Sequence, residues 1–171
     1  MRQSAILSAY VLALTSVGCG IQVDHGDCYA PTESTRSTGS ASRTSTAPAV
    51  TGDSIRVASF NIQVFGESKI GKPEVVQVLA DVVRRFDVVA IQEIRCKDQT
   101  LMDRFLAVVN AGGHHYDYVL GPRLGRTSSK EQYAFVFNTQ SLTVNRETVY
   151  TVPDPDDLLH REPLVASFQV R

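Results

Sequence analysis

The chain has 171 residues, with 17 Lys plus Arg against 18 Asp plus Glu and a formal net charge of −1. This balance excludes a polybasic nucleic-acid coat protein and a protein held on membranes by positive charge. Three cysteines are too few for a disulfide scaffold, and their spacing suits no zinc site. With 43% apolar residues, the length fits one globular domain with appendages.

The first 20 residues predict an export signal. Arg2 precedes an apolar stretch, residues 5–14, that is too short to span a bilayer and is followed by small residues. Cys19 stands as in a bacterial lipobox, although Ser16 replaces the leucine that this motif prefers. We therefore expect an exported bacterial chain, either secreted or anchored by a lipid on Cys19. An ordinary cleaved signal and an unprocessed apolar segment are the alternatives.

Residues 21–52 are predicted to be a disordered tether. From position 31 to position 52, Ser and Thr fill 11 of 22 positions. Such a segment buries too little apolar surface to offset the entropy lost on ordering. The globular domain is therefore predicted to span residues 53–171.

The domain begins with alternating strands and helices and continues with strands alone. Pro73 fits the first turn of a helix, and Val88 to Ile91 form an apolar run that is typical of a strand buried on both faces. The predicted strands are 55–61, 87–93, 116–120, 132–138, 141–150 and 164–170, and the predicted helices are 72–86 and 100–113. This order predicts an α/β (α+β) domain whose mixed sheet carries its helices on one face.

Two polar residues end the first two predicted strands. A right-handed crossover makes these strands parallel, so Asn61 and Glu93 are predicted to lie on the same rim of the sheet, where ligands tend to bind. Neighbouring strands lie about 4.8 Å apart, so an amide and a carboxylate there can share a magnesium ion or its waters. On these residues alone, Asn61 as a turn former and Glu93 as a solvated carboxylate remain open.

Four stretches resemble a known family in order and spacing. They are "ASFNIQVFGESK", "VVRRFDVVAIQEIR", "YDYVLGPRLGRTSSKEQYAFVF" and "HREPLVASF". Together they are similar to the first half of the deoxyribonuclease I branch of the endonuclease/exonuclease/phosphatase superfamily. The resemblance implies about half of a four-layer α/β/β/α sandwich, the DNase I-like fold. With only half of this fold, the inner sheet face is expected to expose a large apolar surface.

The resemblance also implies catalytic roles for three residues. Glu93 and Asn61 match the residues that hold a divalent metal, Mg²⁺, and its phosphate. Glu131 matches a glutamate that orients a catalytic histidine. Without the resemblance, the alternative interpretation of Glu131 is a solvated charge at the start of a strand.

Three arginines match DNA-binding positions of the family. Arg95 matches an arginine that enters the minor groove of DNA. An arginine in that position recognises the shape of the groove rather than the base sequence. Arg126 lies in the matching "GR" motif, and Arg161 matches a phosphate contact. The resemblance therefore implies duplex DNA as the partner, bound with little sequence preference. The sequence itself gives no sign of a stable protein partner. Solvated surface charge is the alternative for Arg95 and Arg161.

The chain departs from the family pattern at several positions. Ser129 stands in place of a tyrosine, and Gln63 in place of an arginine, so weaker DNA binding or a different substrate is expected. Asp154, Asp157 and Glu162 form an acidic loop that is interpreted either as a Ca²⁺ site or as a solvated turn.

The family's two histidines and its "GD-x-N" sequence do not occur before Arg171. We therefore expect a DNase I-like endonuclease that is inactive as this chain alone. The alternatives are a phosphatase or phospholipase-type phosphodiesterase on the same scaffold, and a non-catalytic half-domain that binds a partner. The sequence "GRTSSKEQY" argues against the phosphatase or phospholipase reading.

Overall fold

The computed structural model describes residues 54–171. The predicted export signal, the lipidation of Cys19 and the tether lie outside the described residues. Within the described range, no helix combines the length and apolar composition needed to cross a membrane.

Strands and helices alternate in the first half of the described chain, and short strands dominate the second. The strands are β1 (Val57–Phe65), β2 (Val88–Ile94), β3 (Tyr116–Leu120), β4 (Gln132–Asn138), β5 (Leu142–Val144), β6 (Tyr150–Thr151), β7 (Leu164–Val165) and β8 (Phe168–Val170). The helices are α1 (Glu67–Ile70), α2 (Pro73–Val83) and α3 (Leu101–Val109), and a 3₁₀ helix spans Arg146–Thr148.

The main sheet has four strands in the order β1-β2-β4-β3. β1 and β2 are parallel, whereas β4 runs antiparallel to both β2 and β3. Parallel neighbours require a crossover, and α2 provides it. The predicted mixed sheet and the α/β (α+β) class are therefore confirmed.

Helices α2 and α3 cover one face of this sheet. Val83 and Phe105 are fully buried there against Val89, Ile91 and Val136. Arg84 joins the two helices, because its guanidinium donates to the carbonyls of Val108, Val109 and Ala111. The last carbonyls of a helix have no partner within the helix, so this arginine satisfies the end of α3.

The opposite face of the sheet is also buried, and the expectation of a large exposed apolar surface is wrong. Phe135 and Phe137 are only 1% and 2% exposed. The ring of Phe168 packs edge-on against both, with centroids 5.7 Å and 5.3 Å away. The residues that follow β4 therefore fold back over this face and close a second core.

Two of the predicted strands are interrupted in the structure. The predicted strand 141–150 breaks into β5, the 3₁₀ helix and β6, and the predicted strand 164–170 breaks into β7 and β8. β6 pairs with β7, whereas β5 pairs with β8. Each segment therefore contributes to two small sheets, and an unbroken strand could not pair in this way.

Replacing Phe168 with alanine should lower the free energy of unfolding by about 3–5 kcal/mol, because the change leaves a cavity against two aromatic rings. Urea denaturation measures the loss. Val78→Ala, at an exposed site on α2, is the control and should change stability by about 0.5 kcal/mol or less. Equal effects of the two changes would contradict the packing of Phe168.

Candidate active site

The ends of β1 and β2 break the regular alternation of side chains. Asn61 pairs with Gln92 and Phe65 pairs with Ile94, so four residue steps on β1 face two on β2. Against β4, Ile91 pairs with Ala134 and Ile94 with Gln132, which leaves one extra residue on β2. Both strands therefore contain a bulge at the same level of the sheet.

Left-handed backbone marks these bulges. Gln63, Val64 and Glu93 have φ values of 49°, 60° and 60°. Non-glycine residues seldom adopt this conformation, and a β-branched valine does so least readily. Each such residue costs about 1–3 kcal/mol, so the surrounding contacts must hold the segment in place.

The strained segment brings Asn61 and Glu93 together. Asn61 Nδ2 donates to Glu93 Oε1 at 2.9 Å, and the Val64 backbone N–H donates to Glu93 Oε2 at 3.0 Å. Asn61 Oδ1 accepts the Gln63 N–H at 2.8 Å. The two residues thus lie side by side, as expected for one rim, although β1 continues to Phe65 instead of ending at Asn61.

The Glu93 carboxyl is held in its charged form. The hydrogen bond from Asn61 lowers its pKa most, and the Val64 N–H and the positive charges of Arg95 and Arg161 lower it further. Partial burial acts in the opposite direction but does not prevail. Glu93 is therefore a carboxylate with both oxygens fixed in direction.

The donor set at this rim fits a hard divalent cation in part. A carboxylate has about four acceptor positions, and Glu93 uses two of them. Mg²⁺ takes one or two carboxylates and fills its remaining positions with water or phosphate. In residues 54–171 no three Asp, Glu, His or Cys side chains are grouped to hold a metal. Glu93 offers one carboxylate to such an ion, and the Asn61 amide holds its Oε1 in place.

Glu131 is buried beside this rim and pairs with two arginines. Its side chain is 5% exposed, and Oε1 contacts the Nη2 atoms of both Arg95 and Arg161. Arg95 also donates through Nε to the same oxygen. Two guanidinium groups on one carboxylate leave a net positive charge next to Glu93. In the described part of the chain, Glu131 thus holds arginines rather than a histidine.

The Arg126 side chain forms hydrogen bonds within the protein, to the acidic loop that contains Asp154 and Asp157. Its Nε donates to Asp157 Oδ1 at 3.1 Å, and its Nη2 donates to the carbonyls of Asp157 and Leu159. Asp154 accepts the N–H groups of Leu158 and Leu159. In residues 54–171 no three acidic side chains are grouped to hold a metal, so the structure favours the interpretation of Asp154, Asp157 and Glu162 as a solvated turn. The guanidinium provides the positive charge that a cation would bring.

Three residues near the rim were missed from sequence. Gly66 is required because a Cβ atom there would lie 2.8 Å from the Arg95 carbonyl oxygen. Cys96 donates its thiol hydrogen to Glu67 Oε1 at 3.0 Å. Lys69 donates to two carbonyls of the left-handed segment. Gly66 and Glu67 belong to the "FGE" sequence that contributed to the family resemblance, but their contacts with Arg95 and Cys96 are visible only in the folded structure.

Comparison with known proteins identifies the family. Residues 58–166 match the model of the Endonuclease/Exonuclease/phosphatase family. The chain belongs to this family. The family resemblance inferred from the four sequence stretches is thereby confirmed.

Curated human proteins with deoxyribonuclease names are similar to this chain. Human "Deoxyribonuclease-1-like 2" is 34% identical over 115 residues, which cover 67% of this chain and 38% of that protein. Human "Deoxyribonuclease gamma" is 35% identical over 120 residues, covering 67% and 39%. Human "Deoxyribonuclease-1" is 32% identical over 119 residues, covering 67% and 42%. The chain thus spans about two fifths of the length of these relatives.

Asn61→Ala should raise the pKa of Glu93 toward that of a solvated glutamate, because it removes the hydrogen bond that lowers this pKa most. A ¹³C NMR titration of the glutamate carboxyls measures the change. Gln92→Ala is the control, since Gln92 donates to Ser59 Oγ rather than to Glu93. An unchanged Glu93 titration in Asn61→Ala would contradict the assigned hydrogen bond.

The same variant has a pH-dependent effect on stability. A lowered pKa in the folded state stabilises the fold above the pKa of the unfolded carboxyl, and this contribution disappears as the pH falls through the folded value. The stability difference between wild type and Asn61→Ala should therefore shrink on acidification. Urea denaturation at a series of pH values measures it.

Calcium should leave the melting temperature unchanged, because the positively charged Arg126 guanidinium already contacts Asp157 and would repel a cation there. Thermal unfolding in EDTA and in millimolar CaCl₂ tests this. Arg126→Ala should cost no more than about 1 kcal/mol, since the ion pair is partly exposed. Lys130→Ala is the matched control. A rise in the wild-type melting temperature with CaCl₂ would show that the loop binds calcium.

Proposed function

We propose that this protein is a metal-dependent phosphodiesterase that hydrolyses DNA. The observation that carries the proposal is the oriented Glu93 carboxylate beside a pair of arginines that share one buried carboxylate. Hydrolysis of a phosphodiester by a metal-dependent enzyme requires a side chain that holds the metal ion and positively charged side chains that bind the phosphate. The similarity to proteins named deoxyribonucleases supports DNA as the substrate.

Glu93 is proposed to be the residue that holds Mg²⁺. When bound, such an ion stabilises negative charge that develops on a phosphoryl oxygen. Asn61 holds Oε1 of Glu93 and the Val64 N–H holds Oε2, so the carboxylate has little freedom to rotate. A fixed ligand needs no reorganisation when the substrate arrives, which is the basis of electrostatic preorganisation.

Arg95 and Arg161 are proposed to bind the DNA backbone near Glu93. Their side chains are 34% and 17% exposed, and Glu131 fixes both. Guanidinium groups suit phosphate because they offer several donors in one plane. Arg95 is the more exposed of the two and is the proposed minor-groove contact. Arg126 is a weaker candidate for DNA binding, because the acidic loop uses its donors.

Cleavage of a substrate panel tests the proposal. The protein expressed from its own gene should cleave duplex DNA with Mg²⁺ and should leave sphingomyelin and inositol phosphates intact. Glu93→Gln should lower cleavage by about 10- to 100-fold or more, because loss of the anionic ligand should cost at least as much as loss of a group that supports a metal ligand. Glu67→Gln, at a neighbouring glutamate in α1, is the matched control and should retain activity. Cleavage of either small substrate without action on DNA would favour the phosphatase or phospholipase alternative.

A further inference from the structure

Lys69 contacts the strained end of β1. Its Nζ donates to the Ile62 carbonyl at 2.6 Å and to the Gln63 carbonyl at 2.7 Å. These are consecutive peptide groups immediately before and within the left-handed pair Gln63 and Val64. The Lys69 ammonium group thus binds the carbonyls before and after the Cα atom of Gln63, where the backbone enters the left-handed conformation.

The N–H groups of the same segment point at the candidate site. The Gln63 N–H donates to Asn61 Oδ1, and the Val64 N–H donates to Glu93 Oε2. A peptide plane that turns moves its carbonyl and its N–H together, because the peptide bond is rigid. Holding the carbonyls of Ile62 and Gln63 therefore also fixes the direction of the N–H groups of Gln63 and Val64.

Helix α1 gives Lys69 a fixed base. Gly66 lies against the backbone of Arg95, just beyond β2, and the Arg95 N–H donates to the Phe65 carbonyl at 2.8 Å. The Gly66 carbonyl accepts the N–H groups of both Lys69 and Ile70 at 3.0 Å. The lysine is thus anchored to the end of β2, the strand that carries Glu93.

We propose that Lys69 is a positioning residue for Glu93: it holds Gln63 and Val64 in the left-handed conformation that directs their N–H groups to Asn61 and Glu93. This inference rests on the proposed function for its catalytic consequence, but not for its geometry. Its effect on the reaction is indirect, because Lys69 contacts only backbone carbonyls among the site's groups.

Amide hydrogen exchange, followed by NMR on the full chain, tests the geometry. Lys69→Met keeps the length of the side chain and removes its donors. The N–H groups of Gln63 and Val64 should then exchange about tenfold faster or more, since hydrogen bonds from charged donors are among the stronger ones. The amides of Ala90 and Val136, in the core of the sheet, should be unchanged. Lys69→Arg should retain most of the protection, and Lys72→Met is the control for loss of a lysine.

A second substitution tests the mechanism. Glycine accepts positive φ without strain, so Val64→Gly should slow exchange at Gln63 and residue 64 when it is combined with Lys69→Met. Val57→Gly, at an exposed position earlier in β1, should give no such rescue. Equal acceleration of all amides in Lys69→Met, or no change at Gln63 and Val64, would overturn the proposal. So would failure of Val64→Gly to rescue.

The kinetic readout separates this proposal from the proposed function. In the protein expressed from its own gene, assayed with duplex DNA and Mg²⁺, Lys69→Met should lower kcat while the KM for DNA stays near the wild-type value. If wild type expressed from its own gene cleaves no DNA, the proposed function fails, and the exchange data alone then decide the role of Lys69. If wild type cleaves DNA and Lys69→Met has full kcat, the positioning role is wrong and the proposed function stands.

Discussion

The structure of the candidate site depends on the paired bulges at the ends of β1 and β2. In a regular strand, successive side chains point to opposite faces. Ile91 faces the helices, so Glu93 would face them as well, away from Asn61. The left-handed Glu93 removes this conflict, and Ile94 then returns to the core that contains Ile91. The extra residues in the two bulges interrupt the regular backbone pairing of β1 and β2, and they make the contact between Asn61 and Glu93 possible.

The arginines near the rim show how charge is arranged around this contact. Glu131 lies almost wholly out of water, and a lone buried carboxylate there would be strongly unfavourable. Arg95 and Arg161 satisfy it from two parts of the chain, the segment after β2 and the segment before β7. The cluster therefore combines two functions: it joins distant segments, and it places positive charge beside Glu93.

The sequence predicted the main sheet well because its elements have strong local patterns. The helical spacing of α2 and the apolar run of β2 identify these elements without tertiary information. The strands after β4 were harder, since one apolar stretch pairs with two partners and only long-range contacts fix where it breaks. The placement of Asn61 and Glu93 on one rim, in contrast, followed from the topology of the first two strands alone.

The parts of the site that sequence reasoning missed depend on backbone conformation. No residue preference predicts a left-handed valine, because valine disfavours it; the conformation exists only because neighbouring groups hold it. The charge pairs are similar. "REP" and "GR" identified Arg161 and Arg126 as cations, but their partners lie about 30 residues away in sequence. Proximity of this kind is a property of the fold, not of the motif.

The contact between Cys96 and Glu67 has a redox consequence. Burial raises the pKa of the Cys96 thiol most, and the hydrogen bond to the carboxylate of Glu67 raises it further. Oxidants and disulfides react with the thiolate, and a thiol that stays protonated in a buried position reacts slowly. The docking of α1 against the segment after β2 thus also protects this sulfur from oxidation.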